Sequence, residues 1–259
     1  MTEAVDSVLA GAVERGEVPG VVAVAVNSDG VVYQGASGKA RVADDVEMRV
    51  DSIFRIASMT KALTSAAAMQ LVERGELALD QPAGSVLPEL ADLTVLTDEG
   101  ELRPASRPVT LRDLLTHTSG LAYPFSSTKL ARHAEDARAS GATVRATDLD
   151  RLLVSDPGER WQYGTSTDWA GRLVEAASGL ALDQYMREHL FGPLAMPDTS
   201  FRGYGPEEPR LTSVHARSED GALAEQPVVQ PPPPATFSGG GGLSSTAPDY
   251  AQFLRLMLG

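Results

Sequence analysis

The chain has 259 residues, 42% hydrophobic and 22% charged, an ordinary globular composition that excludes wholesale disorder and fibrous repeats. Cysteine is absent, which excludes disulfides, thiolate metal sites and cysteine nucleophiles. A net charge of −13 argues against nucleic acid as a partner, and the uncharged stretch from Val18 to Ser28 is too short to span a bilayer.

At ~100–200 residues per domain, this length fits one large domain or two intimate lobes. Glu3, Asp6 and Glu14 give the N-terminus no basic start, so no signal peptide is expected there. A cytoplasmic protein, with neither a membrane nor a nucleic acid as partner, is the expectation.

Residues 3–16 place Val5, Val8, Leu9, Ala12 and Val13 at helical spacing, and Gly16 with Pro19-Gly20 ends that helix. Val21–Val26 and Val31–Tyr33 flank the turn residues Asn27-Ser28-Asp29-Gly30, which predicts an antiparallel hairpin. A short extended piece is expected at Ser52–Ile56. Residues 59–72 then form a helix with almost no polar face, expected to be buried on all sides.

From there to about residue 200 the chain reads as mainly helical. Thr110 caps Leu111–Leu115, and Thr167 or Asp168 caps a helix that ends at Ser178-Gly179. A helix over Leu182–Leu190 stops at Gly192-Pro193. Thr97–Pro108 and Tyr204–Pro209 read as loops, and Gln230–Pro234 as polyproline II. A final helix covers Pro248–Leu258. The expected division is 1–58 in an α/β lobe, 59–235 in a mainly helical lobe, and 236–259 returning to the first.

A serine attacks only once a base takes its proton. Two Ser-x-x-Lys matches occur, Ser58–Lys61 and Ser126–Lys129, in a chain with 21 serines and three lysines. Context separates them. Ser58 stands between a β-like run and the apolar helix, where unpaired N–H groups face outward. Lys61 follows on the same face, about 5–6 Å away at Cβ, with no carboxylate in local pairing range. An amine held in an apolar place without a partner can lose its charge and act as a base. Lys129 is surrounded by Arg132, His133, Glu135, Asp136 and Arg138, a solvated face.

Further landmarks stand at Phe54–Lys61, Val109–Leu121, Pro157-Gly158 leading to Trp161-Gln162-Tyr163-Gly164-Thr165, Phe191–Met196, and Gly240–Thr246. With them the chain resembles the serine β-lactamase-like hydrolases, most of all the family VIII carboxylesterases, which share the class C β-lactamase fold. The likeness covers nearly the whole chain. It implies an α/β fold of β-lactamase/transpeptidase type, with an antiparallel sheet flanked by helices, a mainly helical lobe, and a cleft between them.

The resemblance further implies that Ser58 forms an acyl-enzyme with a small ester and that Lys61 and Tyr163 share the proton work. Which of the two acts first stays open, since coupled groups titrate as a unit. Thr165 stands where β-lactamases carry Asn, which weakens a β-lactam substrate. Tyr123, Trp161, Thr165 and Gly240 are the candidate substrate-binding residues. The family's third motif, on a later strand, has no match. Trp169-Ala170-Gly171 fits its pattern but falls inside a predicted helix. C-terminal sheet strands, and with them the second oxyanion donor beside the Ser58 N–H, are therefore expected from outside this chain, in a missing segment or a second chain.

No Gly-x-Ser-x-Gly elbow occurs, and the four histidines lack metal spacing. No metal or cofactor is expected. His117 reads as structural, the alternative being membership of a Ser–His–Asp triad. Gly239–Gly242 reads as a tight passage lining the cleft. Carboxylesterase activity is the leading expectation. The rivals are a class C-like β-lactamase or D-alanyl peptidase, and a non-catalytic fragment or binding module of the same fold.

Overall fold

The computed structural model describes residues 2–139, 149–232 and 234–259. Pro233 of the expected polyproline run, and residues 140–148 of the expected helical stretch, lie outside the described residues. In chain order the elements begin α1 (Thr2–Glu14), β1 (Gly20–Asn27), β2 (Gly30–Arg41), β3 (Val46–Glu47), β4 (Phe54–Arg55) and α2 (Thr60–Glu73). Next come β5 (Thr94–Leu96), β6 (Leu102–Pro104), α3 (Leu111–Leu115), α4 (Thr128–Ala139), β7 (Leu152–Leu153), α5 (Ser166–Ser178) and α6 (Leu182–Met186). The last are β8 (His215–Arg217), β9 (Leu223–Glu225), β10 (Ser244–Ser245) and α7 (Ala247–Leu258). No described helix is long and apolar enough to cross a membrane.

The residues group into two compact units. One spans Met1–Ala57, Arg187–Thr236 and Gly242–Gly259. Its sheet has the order β1-β2-β3, with β1 and β2 antiparallel from Gly20↔Gly38 to Asn27↔Gly30. The turn forms because Asn27 Oδ1 accepts from the N–H groups of Asp29 and Gly30, both at 3.0 Å. Helix α1 packs against β2 and α7 against β1. The segment 187–236 joins this unit, not the helices before it. Ile53 N–H donates to Arg210 O at 2.8 Å, Thr212 N–H donates to Ile53 O at 2.9 Å, and Ile53, Tyr204 and Leu211 bury one another.

The second unit spans Ser58–Met186 and Phe237–Gly241. Helix α2 packs against α5, and α5 also meets α3 and α6. Leu63, Ala67 and Leu71 of α2 and Ala170, Leu173 and Val174 of α5 are buried. A second cluster gathers Leu96, Ala122, Leu130, Ala134, Leu149, Leu152 and Val154. The Thr110 cap is present as a capping box with Asp113, and Gly179 closes α5 in the left-handed conformation.

Four expectations need correction. Helix α2 is not buried on all sides: Ala62 and Met69 are exposed, so that face is apolar without being packed. Helix α5 begins at Ser166 with Thr165 at the N-cap, which puts Thr167 and Asp168 inside its first turn. The stretch Thr97–Pro108 contains β6, which pairs antiparallel with β5, while β7 pairs parallel on the other side of β5. The helix expected over Leu182–Leu190 gives way after Met186 to a π turn over Arg187–Phe191.

Candidate active site

Ser58 sits in a single 3-10 turn, Ala57–Met59, directly before α2. Ala57 has φ of +43°, a left-handed conformation costly for a residue with a Cβ and of a kind that gathers at functional sites. Lys61 follows in the first turn of α2. Its Nζ donates to the Gly240 carbonyl at 2.7 Å and to Ser58 Oγ at 3.4 Å. The Tyr163 hydroxyl donates to the same Ser58 Oγ at 2.6 Å. One hydroxyl thus meets an amine and a phenol.

Tyr163 is held from its backbone. Gly158, at φ +83°, turns the chain and donates to Thr118 O at 2.7 Å, and Gln162 N–H donates to His117 O at 2.7 Å. Ser126 Oγ lies 2.7 Å from the Tyr163 carbonyl and accepts from Tyr123 N–H at 3.1 Å. Behind Tyr163, Gly164 presses so closely on Leu121 and Ala122 that a Cβ would meet their backbone.

Two phenols flank the Lys61 amine, with ring centroids 4.8 Å away for Tyr163 and 5.6 Å for Tyr123. Their acidities are driven apart. Burial pushes the Tyr163 phenol up, but contacts with Lys61 and Ser58 and the ammonium charge outweigh it, leaving it below the ordinary tyrosine range. Burial pushes Tyr123 far above that range, and the neighbouring Asp168 carboxylate adds to the shift. Tyr123 is therefore a proton donor to Asp168 Oδ2, at 3.0 Å. Among the described residues, Lys61 forms no salt bridge; its partners are a carbonyl and a hydroxyl.

His117 lies 5.0 Å from the Tyr163 ring and 6.1 Å from Trp161, centroid to centroid. Burial, reinforced by the Lys61 charge, depresses its pKa, so the imidazole is held neutral. Its Nδ1, the nitrogen a triad carboxylate would hold, finds no hydrogen-bond partner among the described residues. Trp161 is 65% exposed and Phe125, stacked on Tyr123 at 4.9 Å, is 81% exposed, so both present aromatic faces to solvent.

The remaining expected residues are less open. Thr165 is almost wholly buried, with an Oγ1 that has no hydrogen-bond partner among the described residues. Both backbone polar groups of Gly240 are taken, the carbonyl by Lys61 and the N–H by Asp168 Oδ1 at 2.9 Å. The second Ser-x-x-Lys match is dispersed: Ser126 supports Tyr163, and Lys129 pairs with Asp98 at 2.9 Å. Trp169 is buried within α5 and donates from Nε1 to Asp150 O at 2.7 Å. Asp168 and Ser238, which meet at 2.6 Å, carry no sequence pattern that marks them as site residues. Among the described residues no group of three or more His, Asp or Glu could hold a metal ion.

A β-lactamase profile matches residues 5–259. The chain belongs to the β-lactamase family. It is 37% identical over 231 residues to monacolin J acid methylbutanoyltransferase of Aspergillus terreus, covering 82% of this chain and 55% of that protein. It is 36% identical over 230 residues to lovastatin esterase of Penicillium rubens, covering 84% and 58% respectively. A mutant of simvastatin synthase from Aspergillus terreus superimposes with a TM-score of 0.82 at 32% identity, over 98% of this chain and 65% of that one. The fold is thus β-lactamase/transpeptidase-like, and the chain spans a little over half the length of these sequence relatives. Proteins named as an acyltransferase, a methylbutanoyltransferase and an esterase stand among those it is similar to.

Proposed function

We propose that this chain carries the acylation centre of a serine carboxylesterase acting on small acyl esters. The supporting observation is the convergence of the Tyr163 phenol at 2.6 Å and the Lys61 amine at 3.4 Å on Ser58 Oγ. Ser58 Oγ forms a bond to the ester carbonyl carbon while its proton passes into the Tyr163/Lys61 pair. The carbonyl oxygen becomes an oxyanion, for which the Ser58 N–H is one donor. Collapse breaks the bond to the alcohol oxygen, which leaves with the stored proton. Water then attacks the acyl-serine, giving a proton to the same pair; the bond between the carbonyl carbon and Ser58 Oγ breaks, the acid is released, and the pair passes that proton to Ser58 Oγ. An alcohol in place of water gives acyl transfer, a second outcome favoured by the acyltransferase names among the relatives.

The exposed faces of Trp161 and Phe125, with Tyr123 behind, suit an apolar acyl group. Under this proposal the second oxyanion donor comes from sheet strands outside this chain, in a longer polypeptide or a second chain.

The test is intact mass after incubation with a fluorophosphonate, which forms a Ser58 Oγ–phosphorus bond and expels fluoride. Expected is one adduct, absent in Ser58→Ala, together with faster turnover of 4-nitrophenyl butyrate than of a chromogenic cephalosporin. A preference for the cephalosporin would move the assignment to a β-lactamase. No adduct under native conditions would leave a non-catalytic member of the fold.

A further inference from the structure

The acylation scheme leaves one carboxylate at the site without a role. Asp168, in the first turn of α5, gathers three donors: Ser238 Oγ at 2.6 Å and Gly240 N–H at 2.9 Å on Oδ1, and the Tyr123 hydroxyl at 3.0 Å on Oδ2. An acid in a first helical turn is commonplace, but three converging donors, two of them from residues 70 and 72 positions away in sequence, are not explained by the helix. The peptide between Gly239 and Gly240 is pinned at both ends. Its N–H is held by Asp168, and its carbonyl accepts from Thr64 Oγ1 at 2.7 Å. The next carbonyl, that of Gly240, receives the Lys61 amine at 2.7 Å. A Cβ at 240 would run into the Asp168 carboxylate, so the close approach requires glycine there.

We propose that Asp168 is a positioning residue, whose carboxylate fixes the 239–240 peptide so that the Gly240 carbonyl holds the Lys61 amine against Ser58. The inference rests on the esterase proposal above. Its chain of contacts is Asp168, the Gly240 backbone, Lys61, Ser58; the hydrogen bonds of Asp168 go to Ser238, Gly240 and Tyr123, not to the nucleophile.

The experiment compares Asp168→Ala and Asp168→Asn with the unaltered protein, each with the longer polypeptide or second chain that supplies the remaining strands. Turnover of 4-nitrophenyl butyrate and the rate of Ser58 phosphonylation are followed, with circular dichroism to verify folding. Asp168→Ala is expected to lower kcat and the phosphonylation rate by roughly 10–100-fold with KM little changed, because misplacing a catalytic group by about 1 Å costs on that order. Asp168→Asn, which keeps an oxygen for Ser238 and Gly240, is expected to restore most of both rates. Unaltered rates in Asp168→Ala, or equal losses in the two variants, would overturn the inference.

Should Asp168→Ala fail to fold, Ser238→Ala and Tyr123→Phe each remove one donor and are expected to slow phosphonylation; no effect from either counts against it. A readout independent of esterase activity is the Nζ resonance of Lys61 in 15N-lysine-labelled protein, tractable with three lysines in the chain. That resonance is expected to move in Asp168→Asn less than in Asp168→Ala. A stationary resonance in Asp168→Ala refutes the positioning role even if the unaltered chain proves unreactive, whereas absence of phosphonylation alone refutes only the esterase proposal.

Discussion

The Tyr163 phenol and the Ser58 hydroxyl, 105 positions apart in sequence, meet at 2.6 Å with the phenol as donor. In that arrangement the serine cannot lose its proton to the phenol until the phenol's own proton has moved. The Lys61 ammonium beside the ring makes that movement easier by favouring the phenolate.

Ester hydrolysis is therefore expected to rise with pH through an inflection below the free tyrosine value of about 10. Burial opposes ionisation of Tyr163, but Lys61 and Ser58 together prevail, so the sign is downward. Tyr163→Phe should abolish the inflection and lower kcat by ~10²–10⁴, the usual contribution of a positioned proton-transfer group. A pH–rate profile of the two proteins decides it.

The two Ser-x-x-Lys matches should separate cleanly. Lys129→Ala removes only the pair with Asp98 and should leave hydrolysis unchanged. Ser126→Ala removes the contact with the Tyr163 carbonyl and should lower kcat by roughly 10-fold through displacement of the phenol, leaving KM alone. Steady-state kinetics on both variants check this.

Trp161→Ala should blunt the preference for longer acyl chains. Each methylene buried against an apolar face contributes ~0.8 kcal/mol, a factor of about four in kcat/KM per carbon. Comparing 4-nitrophenyl acetate, butyrate and hexanoate in the two proteins measures the slope; an unchanged slope would remove Trp161 from the acyl subsite.

Acid stability should depend on Asp113. Burial raises its pKa, but Arg107 at 2.7 and 2.8 Å and the Thr110 cap bring it below the usual carboxylate value. A carboxylate lowered on folding stabilises the protein above its unfolded pKa, and that contribution fades as pH falls below about 4. Asp113→Asn should lower stability at pH 7 by ~1–3 kcal/mol, the scale of a broken charged hydrogen bond, with the difference from wild type shrinking on acidification. Urea titrations at neutral and acidic pH test both parts.

The grouping of Ser58, Lys61 and Tyr163 in the candidate site was legible in the sequence because those residues sit on local patterns. Ser58 and Lys61 share one helical turn, and Tyr163 follows a Pro-Gly turn in the Trp161–Thr165 landmark. Asp168 was not legible as a site residue. An acidic residue near a helix start is what a cap or a favourable helix-dipole position demands, so nothing local set it apart; only the return of Ser238 and Gly240 to it gives it another role. Strand β6 escaped because all three of its residues are exposed and no alternation marks it. The apolar face of α2 misled in the opposite sense: alanine and methionine show no polarity whether packed or open.

Gly171 of α5 faces Gly239 at close range. A Cβ on Gly239 would lie 3.3 Å from the Gly171 Cα and 2.7 Å from Thr167 O, and one on Gly171 would lie 2.9 Å from Leu182 Cδ2. The two bare α-carbons let the backbone at 239 lie close against α5. A side chain at 239 would press on Thr167 O and displace the strip 237–241 from the helix, and with it the Gly240 carbonyl that holds the Lys61 amine, whereas one at 171 would meet Leu182. Selection for a bulkier side chain at 239 would therefore be felt at Ser58, through a bearing surface that holds no reactive group of its own.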